Sequence, residues 1–278
     1  MWEKRSKGML AFVMLTAGLV YVQMTLFVVQ FIFHVRMPAN LFNVCIEFLR
    51  FIGFPVRINV MLFLLLTSLL LSLAVWLREG IASFRWRKLL HRCLDPDLSQ
   101  AIGEEHGLGP QALTVIDHPD QVAMTVRLLR PRIVLSTGLI CELSESELAA
   151  VMAHEKYHLS ERHPLKIFLL TLVGTTFWYI PIYRWLIGKY KMLIELMADR
   201  QAVRATGSVA DLGSALLVML KRGTSATLVP SSASFADNAI NLRLKLLVDP
   251  HFKPPLRPPL IPCIVSLIAF VFVVFGIG

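Results

Sequence analysis

Residues 151–160 read VMAHEKYHLS and contain His154-Glu155-Lys156-Tyr157-His158, an HExxH sequence. On a helix, side chains four apart stand one above the other, so His154 and His158 can both turn a ring nitrogen towards one metal ion. A Zn²⁺ held this way keeps one coordination position for water and lowers the pKa of that water towards 7. The adjacent Glu155 can then take the proton as the water attacks a carbonyl. The chemistry implied is peptide-bond hydrolysis. The competing reading is an ordinary helix with two solvated histidines and a glutamate. With 8 histidines in 278 residues, HExxH arises by chance in about one chain in a hundred of this composition, which favours the metal reading. Ser144-Glu145-Ser146-Glu147 predicts the helix start, with Ser144 as N-cap and Glu147 at the third helical position of a capping box. Leu148, Val151 and Met152 supply an apolar face opposite the motif.

The elements that must position this helix are membrane elements. The chain is 55% hydrophobic with mean hydropathy +0.62, too apolar for a soluble globular protein of average composition. Met9–Phe33 runs 25 residues without a charge and Asn59–Leu77 runs 19, each enough to cross a hydrocarbon core of about 30 Å. The first run is too long for a signal-peptide core and lacks a small-residue cleavage site, so it reads as an anchor. Leu260–Gly278 is a third uncharged run. Lys4, Arg5 and Lys7 precede the first span, and Arg78, Arg85, Arg87, Lys88 and Arg92 follow the second. These clusters place the N-terminus and the region after Leu77 in the cytosol, where they can rest on anionic headgroups. They also account for the net charge of +9 without nucleic acid, for which no binding motif is present. Cys45, Cys93, Cys141 and Cys263 form no CxxC pair and read as isolated thiols.

His34–Ile58 joins the first two spans outside the cytosol, with an interfacial helix expected within Phe42–Phe54. Ile81–Leu94 continues the second span as a basic helix, and Asp97–His106 is a short helix stopped by Gly107 and Gly109. Ala112–Ile116, Val122–Val126 and Arg132–Leu135 are rich in β-branched residues and separated by turn signals, which predicts a small sheet. The sheet either covers the catalytic helix or offers a free edge to an extended substrate by strand addition. The motif helix is expected at about Glu145–Glu161, ended by Pro164. Thr206–Leu220 reads as a further helix, and Arg222–Asp237 as a loop near the cleft.

Between these lies Ile167–Ile187, a strongly apolar run of 21 residues interrupted by Pro181 and Arg184, followed by helical Met192–Ala205. The HExxH site needs a third protein ligand, and Glu195 is a good candidate. A single crossing by 167–187 would put Glu195 across the bilayer from His154 and His158, and such ligands cannot share an ion. The run is therefore expected to be a re-entrant hairpin bent near Tyr179-Ile180-Pro181. A plain span with a third ligand elsewhere is the alternative. Asp199 is four residues beyond Glu195 on the same helix face, placed to accept the free ring N–H of a ligating histidine. Without the upstream HExxH, the pair would read as an exposed acidic face.

The HEKYH helix, Phe177-Trp178-Tyr179-Ile180-Pro181 and Glu195-Leu196-Met197-Ala198-Asp199-Arg200-Gln201-Ala202-Val203 together resemble the membrane zinc metallopeptidases of the beta-lactam-sensing signal transducers. The match is good over Pro131–Val203. More distantly, they are similar to CAAX prenyl-protein proteases and heat-shock membrane proteases, which share HExxH…ExxxD. The resemblance implies a gluzincin-type site with His154, His158 and Glu195 as zinc ligands, Glu155 as general base and Asp199 in support. Relatives often carry an aspartate five residues after the second histidine, where this chain has His163. The protease relatives have a histidine six residues before an arginine. Here Arg243 matches the arginine, but Asp237 stands in the histidine's place. Arg243 is thus a candidate transition-state stabiliser, or the partner of a nearby acid.

The resulting expectation is a mainly α membrane protein: three transmembrane helices plus a re-entrant hairpin, with a cytoplasmic α+β gluzincin-like zinc protease domain carrying a small β-sheet. Residues 1–77 form the N-terminal membrane region. Residues 78–253 form the peptidase domain, including the re-entrant segment at about 167–187, and 254–278 the C-terminal transmembrane helix. Pro254, Pro255, Pro258 and Pro259, with Lys253 and Arg257, make a stiff lead into that last helix. The C-terminus is expected outside the cytosol, with no penicillin-binding sensor domain. The expected activity is zinc-dependent endopeptidase cleavage of polypeptides at the cytoplasmic face of the cell membrane, in regulated proteolysis or signalling with a separate sensor or regulator. The alternative is a non-proteolytic signalling or scaffold protein with a structural zinc site, distinguished by a closed fourth coordination position. A transporter is disfavoured because the spans lack the usual intramembrane ionisable residues.

Overall fold

The computed structural model describes residues 2–33, 58–109, 111–221, 233–249 and 256–275. The interfacial helix expected within 42–54, residues 222–232 of the expected loop, and Pro254 and Pro255 lie outside them. The described chain is mostly helical with one small mixed sheet.

Helix α1 (Trp2–Phe33) and helix α2 (Ile58–Cys93) are long because neither contains a helix-breaking proline. Within them, Trp2–Leu26 and Phe63–Lys88 are long and apolar enough to cross a membrane. Leu66, Leu69, Leu70 and Leu73 of α2 are exposed, as a lipid-facing surface would be. Basic residues 78–92 therefore continue the second apolar helix without a break, as the sequence indicates.

After α2 come β1 (Leu94–Asp95) and α3 (Pro96–Glu105). Asp95 caps α3 by accepting from the Leu98 N–H at 3.0 Å. Strands β2 (Leu113–Ile116), β3 (Ala123–Val126) and β4 (Arg132–Ser136) follow. The order is β1-β2-β4-β3, with β2 and β4 parallel and the other pairs antiparallel. Three strands were expected. The two-residue β1 is too short to show alternation, and β2 joins β4 rather than β3. Strand β3 is left at the edge of the sheet.

Short α4 (Thr137–Glu142) leads to α5 (Glu145–Ser160), which carries the HExxH motif. The capping box forms as the sequence indicates. Ser144 Oγ accepts from the Glu147 N–H at 3.3 Å, and the Ser144 N–H donates to Glu147 Oε2 at 2.9 Å. Ser144→Ala is expected to cost about 1 kcal/mol of stability. A thermal melt unchanged from the parent would show that packing alone starts this helix. Val151 and Met152 bury against Val115, Ile133 and Leu135 of the sheet, while Ala150 packs with Ala202, Leu212 and Leu216. Helix α5 is thus clamped on two sides, leaving the face of His154, Glu155 and His158 for the site.

Pro164 does not end α5. The helix stops at Ser160, Arg162 takes a left-handed conformation (φ 50), and Pro164 sits in the first turn of α6 (His163–Thr176). A missing N–H costs nothing there, because first-turn N–H groups have no helical partner. The same holds for Pro181, which begins α7 (Pro181–Thr206) and makes Met192–Ala205 the second half of a 26-residue helix. Between α6 and α7 the chain turns at Phe177–Ile180, with Ile180 N–H donating to Phe177 O at 2.9 Å. The two helices run back along each other: a Cβ on Gly174 would meet the Ile187 side chain, while Glu195 returns to His158 near the start of α6.

This hairpin is embedded in the other apolar helices. Phe177, Ile180 and Tyr183 share a core with Val13, Ala17 and Val20 of α1, and with Ala269 and Phe270 of α10 (Leu260–Phe275). Hydroxyl groups tie it further: Ser72 Oγ to Thr176 Oγ1 at 2.9 Å, and Tyr183 donating to Thr16 Oγ1 at 2.9 Å. The Ile182 N–H, unpaired within its own helix, donates to Ser266 Oγ of α10 at 2.7 Å. At 16 described residues, α10 is about 24 Å long, shorter than a hydrocarbon core of about 30 Å.

Helices α8 (Val209–Lys221) and α9 (Ala233–Val248) complete the fold. Residues 233–237, expected in a loop, open α9 instead. The Ser-, Thr-, Ala- and Gly-rich stretch that they end resembles a linker, but Leu244, Leu246 and Leu247 further along bury against the core and carry the helix.

Candidate metal centre

Helix α5 presents His154 and His158 one turn apart, and α7 brings Glu195 to face them. The His154 and His158 Nε2 atoms are 3.1 Å apart. Glu195 Oε2 is 3.5 Å from His154 Nε2, and its Oε1 is 3.6 Å from His158 Nε2. These three residues are the group of His, Cys, Asp and Glu among the described residues whose ligand atoms converge on one point. Ligand atoms about 2.0–2.1 Å from a tetrahedral ion stand about 3.3–3.4 Å from one another, so the triangle fits such an ion. The donor set of two imidazoles and a carboxylate suits zinc chemistry, and no fourth His, Cys, Asp or Glu among the described residues joins the group.

Each ligand is oriented from behind. The His154 Nδ1–H donates to Asp199 Oδ1 at 2.9 Å, which leaves Nε2 free to face the centre. Asp199 is buried and held in turn by Arg243 of α9, whose Nε and Nη2 donate at 2.8 and 2.7 Å to its two carboxylate oxygens. Arg243 Nη1 lies 3.2 Å from Glu195 Oε2. Of the two readings of Arg243, the pairing with an acid is thus present, and the same guanidinium also borders the centre. Asp237 lies in α9, with its side chain outside the described residues.

Two contributors were not legible as such. Thr125 of edge strand β3 donates its hydroxyl to Glu155 Oε2 at 2.7 Å. Thirty residues separate them, and no local pattern announces the contact. His163, noted in the sequence only as a departure from the relatives' aspartate, is buried with its Nδ1 2.8 Å from His158 Nδ1.

The electrostatics follow from burial and these pairs. Burial raises the Glu155 carboxyl above its ordinary value, the direction a general base needs if it is to hold a proton near neutrality. Burial alone would also raise Glu195 and Asp199, but the histidines and Arg243 hold both below the usual carboxylate range. Burial and the Arg243 charge oppose a proton on His154, yet its hydrogen bonds to Asp199 and Glu195 lift it to about 9. Burial pushes His158 down to about 4 and His163 to about 3.

A pH dependence follows for the metal-free protein. Between about pH 6.5 and 4 the unfolded chain takes up protons on His158 and His163 that the folded chain refuses, so stability is full above this window and lost as pH falls through it. His154 adds no slope there, since it is already protonated in both states below about 6.5. The melting temperature of chelator-treated protein is expected to fall steadily from pH 6.5 to 4. A flat profile would contradict the burial of these two rings as neutral groups.

Among curated proteins no match to the chain is found. Residues 57–247 match the family described as BlaR1 peptidase M56, a span that includes the HExxH helix, Glu195, Asp199 and Arg243. With more than half of its 278 residues matched, and with two apolar helices and a histidine–histidine–glutamate cluster of metal-binding geometry, the chain belongs to the BlaR1 peptidase M56 family of membrane-associated metallopeptidases.

Proposed function

We propose that the protein is a membrane-embedded zinc endopeptidase of the HExxH…ExxxD gluzincin type, cleaving polypeptides at the cytoplasmic face of the cell membrane. The observation that carries this reading is the triangle of 3.1, 3.5 and 3.6 Å between His154, His158 and Glu195, with Glu155 next to it on the same helix. Zinc bound there would supply Lewis acidity, lowering the pKa of a water towards 7 and polarising the scissile carbonyl. Glu155 takes the proton of that water and delivers it to the leaving amine, while the Thr125 hydroxyl fixes which carboxylate oxygen is free to do so. Asp199 holds the His154 tautomer. Arg243 Nη1, on the Glu195 side of the guanidinium, is the candidate to meet charge developing on the carbonyl oxygen. An extended substrate would pair with the edge of β3, which Thr125 sets against Glu155.

In this reading the spans are 9–33, 59–77 and 260–278, and 167–187 is re-entrant, so that the N-terminus and the site share the cytosol while the C-terminus lies outside. The peptidase domain is 78–253, between membrane regions 1–77 and 254–278. The α6–α7 turn and its hydroxyl ties to α1, α2 and α10 support the re-entrant segment. A signalling role with a separate sensor or regulator accords with the family. The test is a comparison of newly formed protein N-termini in cells expressing the parent or Glu155→Gln. Cleavage products present only with the parent are expected, and identical product sets would favour a structural zinc site. Cysteines placed at 162 and 195 are expected to react with impermeant reagent from the same side. Labelling from opposite sides would sink the re-entrant segment.

A further inference from the structure

His158 uses both ring nitrogens. Its Nε2 faces His154 and Glu195, and its Nδ1 lies 2.8 Å from the Nδ1 of His163. Two imidazole nitrogens at this distance share one proton, since each neutral ring is a donor at one nitrogen and an acceptor at the other. If His158 offers a metal ion its Nε2 lone pair, its proton is on Nδ1. His163 must then accept at Nδ1 and carry its own proton at Nε2.

The backbone and packing around His163 hold it in this role. Its position is set by the left-handed Arg162 before it and the helical first turn containing Pro164 after it. Its ring is 2% exposed as a residue and stacks edge-on with Tyr157 at 5.4 Å. The two histidines of the centre are therefore backed differently. His154 faces the Asp199 carboxylate, itself anchored by Arg243, whereas His158 faces another imidazole nitrogen. A charged acceptor makes a histidine ligand more basic than a neutral one does.

We propose that His163 is a positioning residue that fixes the tautomer and ring plane of His158, and that an imidazole nitrogen there, where His154 has a carboxylate, makes His158 the weaker of the two imidazole ligands. The proposal rests on the reading of His154, His158 and Glu195 as metal ligands. It predicts a graded response, because Asn and Asp place Oδ1 one bond from Cγ, where histidine has Nδ1. Asparagine there preserves a neutral acceptor, aspartate makes it charged, and leucine removes it.

The experiment measures Zn²⁺ affinity of the full chain in detergent by competition with a chromophoric chelator. The parent is compared with His163→Leu, His163→Asn, His163→Asp and His154→Ala. His163→Leu is expected to bind Zn²⁺ about 10–100-fold more weakly than the parent, with His163→Asn restoring affinity and His163→Asp binding more tightly than His163→Asn. Co²⁺-loaded His163→Leu should also show an altered visible spectrum, which a change in packing remote from the ligand would leave alone. Parent-like affinity in His163→Leu overturns the proposal. So does affinity in His163→Asn as weak as in His163→Leu, since the ring's bulk and not its acceptor would then be what matters. If the leucine variant does not fold, the asparagine–aspartate pair decides, and equal affinities overturn the proposal. A parent that binds no Zn²⁺, or His154→Ala binding it as the parent does, instead rejects the ligand assignment and this inference with it.

Discussion

Glu155→Gln is expected to lower peptide-bond cleavage by about 10²–10⁴-fold while leaving bound metal near the parent's level. Glutamine has nearly the shape of glutamate and can accept the Thr125 hydrogen bond through its side-chain oxygen. What it cannot do is take a proton. Glu155 is buried beside the two histidines and its carboxyl is raised by that burial, so it is poised to hold a proton between the attack and the departure of the amine. Because the side chain stays in place and is not a ligand in this assignment, loss of cleavage with metal retained separates the base from the ligands. Loss of both would show that Glu155 supports the metal directly. Loss of neither would reject it as the base.

The second large effect is expected at Asp199. It is 1% exposed and makes one bond to His154 and two to Arg243. Asp199→Ala removes both hydrogen bonds that hold the Arg243 guanidinium and leaves it the Glu195 contact at 3.2 Å; breaking one side of a buried pair costs up to about 3–5 kcal/mol. It also frees the His154 ring, which is expected to weaken metal binding by about 10–100-fold. Arg243→Met should be milder in stability than Arg243→Ala, because the methionine fills the space between α7 and α9. The double variant Asp199→Ala with Arg243→Met should be more stable than Asp199→Ala alone, since the guanidinium that lost its two hydrogen bonds to Asp199 is gone. Thermal unfolding of the parent and these four variants in one detergent checks this. Strict additivity of the two substitutions would show that the pair is not coupled. The depressed Asp199 carboxyl gives the same result by pH: its contribution is present above the ordinary carboxylate range and lost as pH falls through its folded value.

The parts of the site legible in the sequence are those written in local spacing. His154 and His158 at four residues, Glu195 and Asp199 at four residues, and the Ser144–Glu147 box all depend only on helical geometry, and each is in place. With Glu195 as the candidate third ligand, the requirement that all three lie on one side of a bilayer makes the run between them turn back, and α7 does return Glu195 to α5. Contacts made across the fold were not legible. Thr125 reaches Glu155 only because β4 lies between β2 and β3 and leaves β3 at the edge. An acid partner for Arg243 is among the sequence expectations, but that it is Asp199 follows only from the packing of α9 onto α7. Pro164 differs from expectation for another reason: it does not end α5, because a proline in the first turn of a helix lacks only a donor that had no partner, so it can start a helix. The turn expected near Tyr179-Ile180-Pro181 is present at Phe177–Ile180, with Pro181 opening the next helix. For the stretch opening α9, composition favoured a loop over residues 233–237, and the leucines that decide otherwise come later in the helix.

The central claim is that His154, His158 and Glu195 jointly hold one catalytic metal ion. Metal stoichiometry of the purified full chain, measured by elemental analysis for the parent and for His158→Ala and Glu195→Ala, tests it most directly. One zinc per chain is expected in the parent and almost none in either variant. Zinc retained at parental stoichiometry in Glu195→Ala, or absent from the folded parent, would contradict the claim.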